Sequence, residues 1–236
     1  MQVFKFGGAS VKDAKGVKNL VNVLNKTGYK NTLVVVSAMG KTTNALEKVI
    51  ANYFDNKGEL QSSLQEVIKF HNGILLDLFD NEQHAVYKKI TALFNELTAF
   101  MDRNKSPDYN FVYDQVIGYG ELVSTTIVSE YLNDVGLKNQ WLDVRDFIKT
   151  DNYYRSAHVD WEASQERIAT QFNRTQLNIT QGFLGSDANN FTTTLGREGS
   201  DYTAAIFAYC LNAQSVTIWK DVPGVLNGDP REFEDT

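Results

Sequence analysis

Five short stretches of the chain carry side chains suited to chemistry. The first is Lys5, followed by Gly7, Gly8 and Ser10. Two glycines after a strand-like run let the backbone pass close to a ligand and offer bare N–H groups. A helix start beyond them adds a positive end, and lysine adds a charge, so the combination suits a phosphate. A tight turn with a surface lysine has the same composition. Neither the GxxxxGK[ST] phosphate loop nor the GxGxxG fingerprint occurs. In the second stretch a run of apolar residues ends in Ser37, and Thr42 and Thr43 follow. Ser37 and Thr43 have hydroxyls to hydrogen-bond a small polar substrate; helix capping by Thr42 or Thr43 is the alternative.

The third stretch places Gly118 and Gly120 inside a helical pattern, so either something approaches closely there or the helix breaks. Glu121 follows among Ile117, Leu122, Val123 and Ile127. A carboxylate in such surroundings needs a partner, unless it turns to solvent. The fourth is the most informative. Arg197 stands after Gly196 and before Gly199, and Ser200 and Asp201 open a helix. An arginine so placed suits bidentate capture of carboxylate or phosphate. Ser200 or Asp201 can cap the helix, and Asp201 can also orient Lys5 or a bound metal. In the fifth, Lys220 and Asp221 end a strand and lead into a glycine-containing loop with Leu226, Asp229 and Arg231. Such a loop can hold a nucleotide's base and ribose, or it can be plain surface.

These residues need strands and helices to hold them. Residues 3–6 and 32–36 read as strands flanking a helix over 13–24, a βαβ unit. The β-branched run at 32–36 has the signature of a strand buried on both faces of a parallel sheet. Apolar spacing predicts two helices over 60–79 and 86–101, joined by a capped turn at 80–82, as a helical hairpin beside the sheet. A third helix is expected over 113–133. Strand and helix then alternate: strands near 140–144, 177–180, 191–195 and 215–219, helices over 161–172 and 200–211. The fold expected is a three-layer αβα sandwich with a mostly parallel central sheet and a helical hairpin insertion. Ligands then sit at the carboxyl ends of the strands.

Composition removes several function classes. Lys and Arg number 23 against 29 Asp and Glu, a net charge of -6, which argues against nonspecific binding to nucleic acid or an anionic membrane. Hydrophobic residues make up 42%, enough for a packed core. One cysteine, Cys210, excludes an internal disulfide framework and a Cys-rich zinc site; its apolar neighbours read it as a buried structural thiol. His71, His84 and His158 are too widely spaced to predict a metal cluster and read as structural. No apolar run is long enough for a membrane span, and the first residues enter a strand with no signal peptide. A reducing, cytoplasmic setting is expected.

In this order the motifs resemble the aspartokinase family, within the amino-acid kinase fold. Family patterns KFGGTS, VSAMxxxTN, GE on a helix, QGFxG, TLGRGGSDYTAA and DVxGxxxxDPR have counterparts at 5–10, 36–44, 120–121, 181–185, 194–205 and 221–231. The resemblance spans nearly the whole chain and implies ATP-dependent phosphorylation of the side-chain carboxylate of L-aspartate to 4-phospho-L-aspartate, the first step toward lysine, threonine and methionine. It implies that Lys5 binds the transferring phosphates in a cradle of Gly7, Gly8 and Ser10. It implies that Ser37, Thr43, Glu121, Arg197 and Ser200 hold aspartate, with Arg197 on a carboxylate and Glu121 on the amino group, and that Asp201 orients the site. Lys220, Asp221, Leu226 and Arg231 match nucleotide positions, and magnesium arrives with ATP. No resident metal site is implied, and the full-length protein is expected to be a homodimer. The chain departs from the pattern at Ala9, Leu122, Glu198, Lys220, Pro223 and Leu226. The pattern also continues past DPR into an FGAKVLHP-like segment and regulatory ACT domains, so the chain reads as a C-terminally truncated kinase domain of low turnover. Another acid-phosphorylating enzyme of this fold, or a non-catalytic ligand-binding relative, are the alternatives.

Overall fold

The computed structural model describes residues 1–220, 224, 226–228, 232, 233 and 235. Its centre is a five-stranded sheet in which every neighbouring pair is parallel. The strands are β1 (Gln2–Phe6), β2 (Thr32–Val36), β3 (Asn139–Leu142), β4 (Leu177–Gln181) and, counted sixth and seventh after a short β5 (Leu184–Ser186), β6 (Thr192–Thr194) and β7 (Ser215–Trp219). The sheet order is β3-β4-β2-β1-β7, while β5 and β6 form a separate antiparallel pair. All five residues of β2 are buried, as a central parallel strand requires.

Alternation along β1 and β2 sorts their side chains to two cores. Phe4, Phe6, Val34 and Val36 face one side. There they meet α1 (Ala14–Thr27), α2 (Thr42–Asp55), α3 (Lys57–Leu78), α4 (Ala85–Arg103), α5 (Tyr109–Ile117) and α6 (Tyr119–Asp134). Val3, Leu33 and Val35 face the other, packed on α7 (Trp161–Gln171) and α8 (Gly199–Cys210). The result is the expected three-layer sandwich. Lys5 has the parity of Val3, so its side chain leaves β1 on the α8 side.

Several local expectations are corrected. The helix over 113–133 is two helices that meet at Gly118. A Cβ at Gly120 would lie 3.1 Å from the Ala38 Cβ, so the glycine pair marks both a break and a close approach. Thr42 and Thr43 do not cap α2: its N-cap is Lys41, with no side-chain bond, and the Thr42 hydroxyl donates to the Met39 carbonyl at 2.6 Å. Neither Ser200 nor Asp201 caps α8, because the chain enters through Glu198 in the left-handed region (φ 56°) and places both in the first turn. His84 caps α4, accepting from the Val86 N–H, where the turn at 80–82 was expected to do so. The helical hairpin is present as α3 and α4, which touch at His71 and Phe94; α3 packs mainly along α2, and α4 along α6. His71 is buried and pushed down to about 4 by desolvation, with its Nδ1 donating to the Val67 carbonyl, a structural role as expected. Cys210 is half-buried rather than buried, because α8 turns it partly outward.

Candidate active site

The strand ends bring the expected residues together. Lys5 is the fourth residue of β1, Ser37 follows β2 directly, and both lie at carboxyl ends of the sheet beside its switch from β2 to β7. A cavity of about 400 Å³ opens there. Lys5, Ser37, Thr43, Glu121, Arg197 and Ser200 line it, six residues that the sequence had singled out from four separate segments.

Lys5 is buried, and its Nζ lies 2.6 Å from Asp201 Oδ1. Lys220 Nζ stands 3.9 Å from the other oxygen of Asp201. Asp201 therefore joins β1 to the end of β7 while remaining behind the cavity wall. A Cβ on Gly7 would come to 3.4 Å from Lys5 Nζ, so this glycine keeps one flank of the ammonium clear. Gly8 is needed for a different reason: a Cβ there would lie 2.7 Å from the Ala38 carbonyl oxygen. The helical positive end expected behind these glycines is otherwise used. Gly8–Val11 is a single 3-10 turn, and the first N–H groups of α1 are answered by Asp13, whose carboxylate accepts from Gly16 at 2.8 Å. Ser10 donates its hydroxyl to the Trp219 carbonyl at 3.2 Å, pinning that turn to β7. Leu226 is exposed, and Asp221 and Arg231 lie outside the described residues.

Glu121 is the buried acid of the cavity lining. It is 3% exposed, and one oxygen accepts weakly from the Ala38 N–H at 3.4 Å. The other has no partner among the described residues. Burial pushes its carboxyl up from an ordinary 4.5 to about 8. A buried carboxyl with a free oxygen on a cavity wall can take a cationic partner, and none is present among the described residues. Ser37 and Thr43 likewise have hydroxyls with no partner among the described residues. Arg197 is exposed at the rim, next to Glu198 in its left-handed conformation. That backbone explains why the resembling pattern carries glycine at this position.

Three lining residues were missed in the sequence. Phe183 also sits at positive φ (73°), with its N–H donating to Thr203 Oγ1 at 2.9 Å. Gly182 before it allows the end of β4 to meet α8, since a Cβ there would be 2.4 Å from that of Ser200. Tyr113 donates its hydroxyl to Glu47 at 3.0 Å, and burial pushes that hydroxyl up in pKa. Arg155 lies over the Tyr113 ring, its guanidinium carbon 4.5 Å from the centroid. The QGF pattern at 181–183 could have flagged Phe183; Arg155 sits in a polar loop with no periodicity to mark it. Behind them, Asp114 is fully buried and accepts from the Thr194 N–H, the Thr194 hydroxyl and the Arg155 N–H, at 2.8, 2.8 and 3.0 Å. Burial outweighs those bonds and raises its carboxyl to about 6.

Known proteins resemble this chain in sequence and in fold. Lysine-sensitive aspartokinase 3 of Escherichia coli (strain K12) is 34% identical over 233 residues, covering 97% of this chain and 51% of that protein. A chloroplastic bifunctional aspartokinase/homoserine dehydrogenase 2 of Arabidopsis thaliana is 32% identical, covering 99% of this chain and 26% of that one. The crystal structure of E. coli aspartokinase III in complex with aspartate and ADP superposes with a TM-score of 0.90 at 33% identity, over 100% of this chain and 52% of the other. The chain thus spans about half the length of the first relative and about a quarter of the second. Among the described residues, no helix is long and apolar enough to cross a membrane. A family model described as the amino acid kinase family matches residues 1 to 236, in agreement with the parallel sheet and the cavity at its strand ends, and the chain belongs to that family.

Proposed function

We propose that the chain forms the catalytic domain of an aspartate kinase, in which an oxygen of the aspartate side-chain carboxylate attacks the γ-phosphorus of ATP and ADP leaves. The observation that carries this reading is Glu121: a buried, half-unpartnered carboxylate on a cavity that also presents Lys5 and Arg197. An amino acid with an extra carboxylate is the complementary ligand. Its ammonium answers Glu121, its carboxylates answer the cations, and the hydroxyls of Ser37 and Thr43 stand ready to fix its orientation.

Phosphoryl transfer asks for alignment and charge neutralisation rather than a protein nucleophile. Lys5 supplies a fixed cation beside the open flank left by Gly7, and Asp201 holds it there. By the family resemblance magnesium would arrive with the nucleotide, held mostly by its phosphates and water, and would supply further neutralisation of the phosphates. The relatives' names support the same substrate and nucleotide. By the same resemblance, the product enters lysine, threonine and methionine synthesis, and the longer protein is a homodimer. An acidic, one-cysteine composition fits a cytoplasmic site of action.

The test is an ADP-release assay with L-aspartate, L-glutamate and carbamate, beside calorimetric titration of the same acids. Aspartate-dependent ADP release and aspartate-selective binding are expected. A rate at background together with no aspartate binding overturns the reading.

A further inference from the structure

The cavity carries a second arginine besides Arg197, and its setting is unusual. Arg155 occupies the left-handed region at φ 71°, where a long side chain is disfavoured. Such strain persists only where the surroundings over-determine it. Here the Arg155 N–H donates to both oxygens of buried Asp114, at 3.1 and 3.0 Å. Two residues later the Ala157 N–H donates to the Thr194 carbonyl at 2.9 Å. Gly196 completes the seat, since a Cβ there would lie 3.2 Å from Ser156 Oγ and 3.4 Å from the Arg155 carbonyl oxygen. The loop is thereby fastened to β6, just ahead of Arg197.

The guanidinium is exposed but rests on aromatic rings: its carbon lies 4.5 Å from the centroid of Tyr113, whose hydroxyl is tied to Glu47, and 5.8 Å from that of Tyr109. No carboxylate stands within ion-pair distance of it among the described residues. Asp114 feels its charge but is already engaged by the Arg155 and Thr194 N–H groups and the Thr194 hydroxyl, so the fork lining the cavity is available to an anionic ligand.

Position decides which anion. Lys5 belongs to β1 and is paired with Asp201 of α8, near Lys220, and on the reading above it neutralises phosphate. The Arg155 loop is fastened to different elements, α5 through Asp114 and β6 through the Thr194 carbonyl. A reacting carboxylate must face Lys5. The group facing Arg155 is the far end of the same molecule.

We propose that Arg155 is a specificity residue whose guanidinium joins Arg197 in binding the non-reacting α-carboxylate of the amino-acid substrate. This rests on the aspartate kinase reading above and deepens it. It explains why a strained arginine is fastened at the cavity by a buried carboxylate.

The experiment is calorimetric titration of L-aspartate and of L-aspartic acid 1-amide into the chain and into Arg155→Gly, with melting temperatures alongside. Glycine adopts the left-handed backbone freely, so the variant should melt no lower than the parent. The parent should prefer aspartate to the 1-amide by about tenfold or more, the scale of one charge-assisted contact. Arg155→Gly should weaken aspartate several-fold, with the rest of the preference kept by Arg197, and leave the 1-amide unchanged. Arg155→Asn, which also tolerates this backbone and lacks the charge, should give the same pattern. Unchanged aspartate affinity in both variants overturns the proposal, as does equal weakening of both ligands. Those results leave the aspartate kinase reading standing. Failure of the parent to bind aspartate at all overturns both.

Discussion

Lys5 Nζ lies 2.6 Å from Asp201 Oδ1, so the cation at the end of β1 is held by a carboxylate from the first turn of α8. The two residues are far apart in sequence but belong to one device. A lysine buried at a strand end is costly to keep charged unless it is paired. Asp201 keeps a second cation, Lys220, within 3.9 Å, so it also gathers charge toward the end of β7.

The pair separates a chemical role from a structural one. Lys5→Ala removes the cation but leaves Asp201 half-exposed and still near Lys220, so the fold should lose little. ADP release should fall roughly 100- to 1,000-fold, the scale of one fixed electrostatic donor at a reacting centre. Asp201→Asn leaves Lys5 buried without its carboxylate and should lower the melting temperature more than Lys5→Ala does. Steady-state assay and thermal melts on both variants decide it. Equal losses of turnover and stability in Lys5→Ala would make Lys5 a structural lysine only.

Glu121 sets a pH dependence with a defined sign. Its folded-state pKa, about 8, is above the ordinary 4.5 because burial penalises the charge. Taken alone, this group contributes stability that is fully present below 4.5 and lost as pH rises through 8. An ammonium ligand reverses the preference, because it needs the carboxylate ionised. Between pH 6 and 8, aspartate binding should therefore release up to one proton, and affinity should rise up to tenfold per pH unit before levelling off near 8. Titrations in buffers of different ionisation enthalpy measure the proton directly. Glu121→Gln should bind more weakly and lose the slope. An affinity that stays flat from pH 6 to 8 in the parent would sink the pairing of Glu121 with the ligand's amine.

Much of this site could be read from the sequence, for reasons that are local. The continuous β-branched run at Thr32–Val36 can be satisfied only by burial on both faces, so it announced a parallel sheet with a site at its ends. Arg197 and the Gly118–Gly120 pair broke local rules without a local benefit, which marked them as functional or close-packed. What the sequence concealed depends on distant partners. Asp114 looks like any helical aspartate until Arg155 and Thr194, 41 and 80 residues away, turn their N–H groups to it. Ser200 and Asp201 read as caps because capping chemistry is local, and a left-handed Glu198 overrode it. Nothing local to Ser10 announces that its hydroxyl donates to the carbonyl of Trp219, 209 residues on.

Glu198 is a departure with measurable consequences. It holds φ 56°, and it puts a negative charge beside Arg197 at the cavity rim. Glu198→Gly removes the left-handed strain and the charge together. Aspartate affinity should rise a few-fold at low ionic strength, and the gain should shrink in ~1 M salt, where exposed charges are screened beyond about 3 Å. The melting temperature should hold or rise, since the relieved backbone offsets the entropy that glycine adds to the unfolded chain. Calorimetry at two salt concentrations checks both parts. A gain that does not respond to salt would assign the effect to backbone shape rather than charge.

Asp114 joins the two cavity arginines without touching either guanidinium. Its carboxylate fixes the backbone of Arg155 and of Thr194, three residues before Arg197, and is itself fully buried. Asparagine has nearly the same shape but turns one acceptor into a donor. One of the N–H groups that Asp114 now satisfies would then face another N–H in a dry site. Leaving a buried donor unmet costs roughly 1–3 kcal/mol, so Asp114→Asn should lower the melting temperature by several degrees in a domain of this size. The loss should not stop at stability. With the 153–157 loop released from β6, aspartate affinity should fall as it does in Arg155→Gly, and the double variant should bind little worse than either single one. That non-additivity is what a positioning carboxylate predicts, because both changes disable the same contact. Additive losses in the double variant would mean that Asp114 supports the fold but does not aim Arg155.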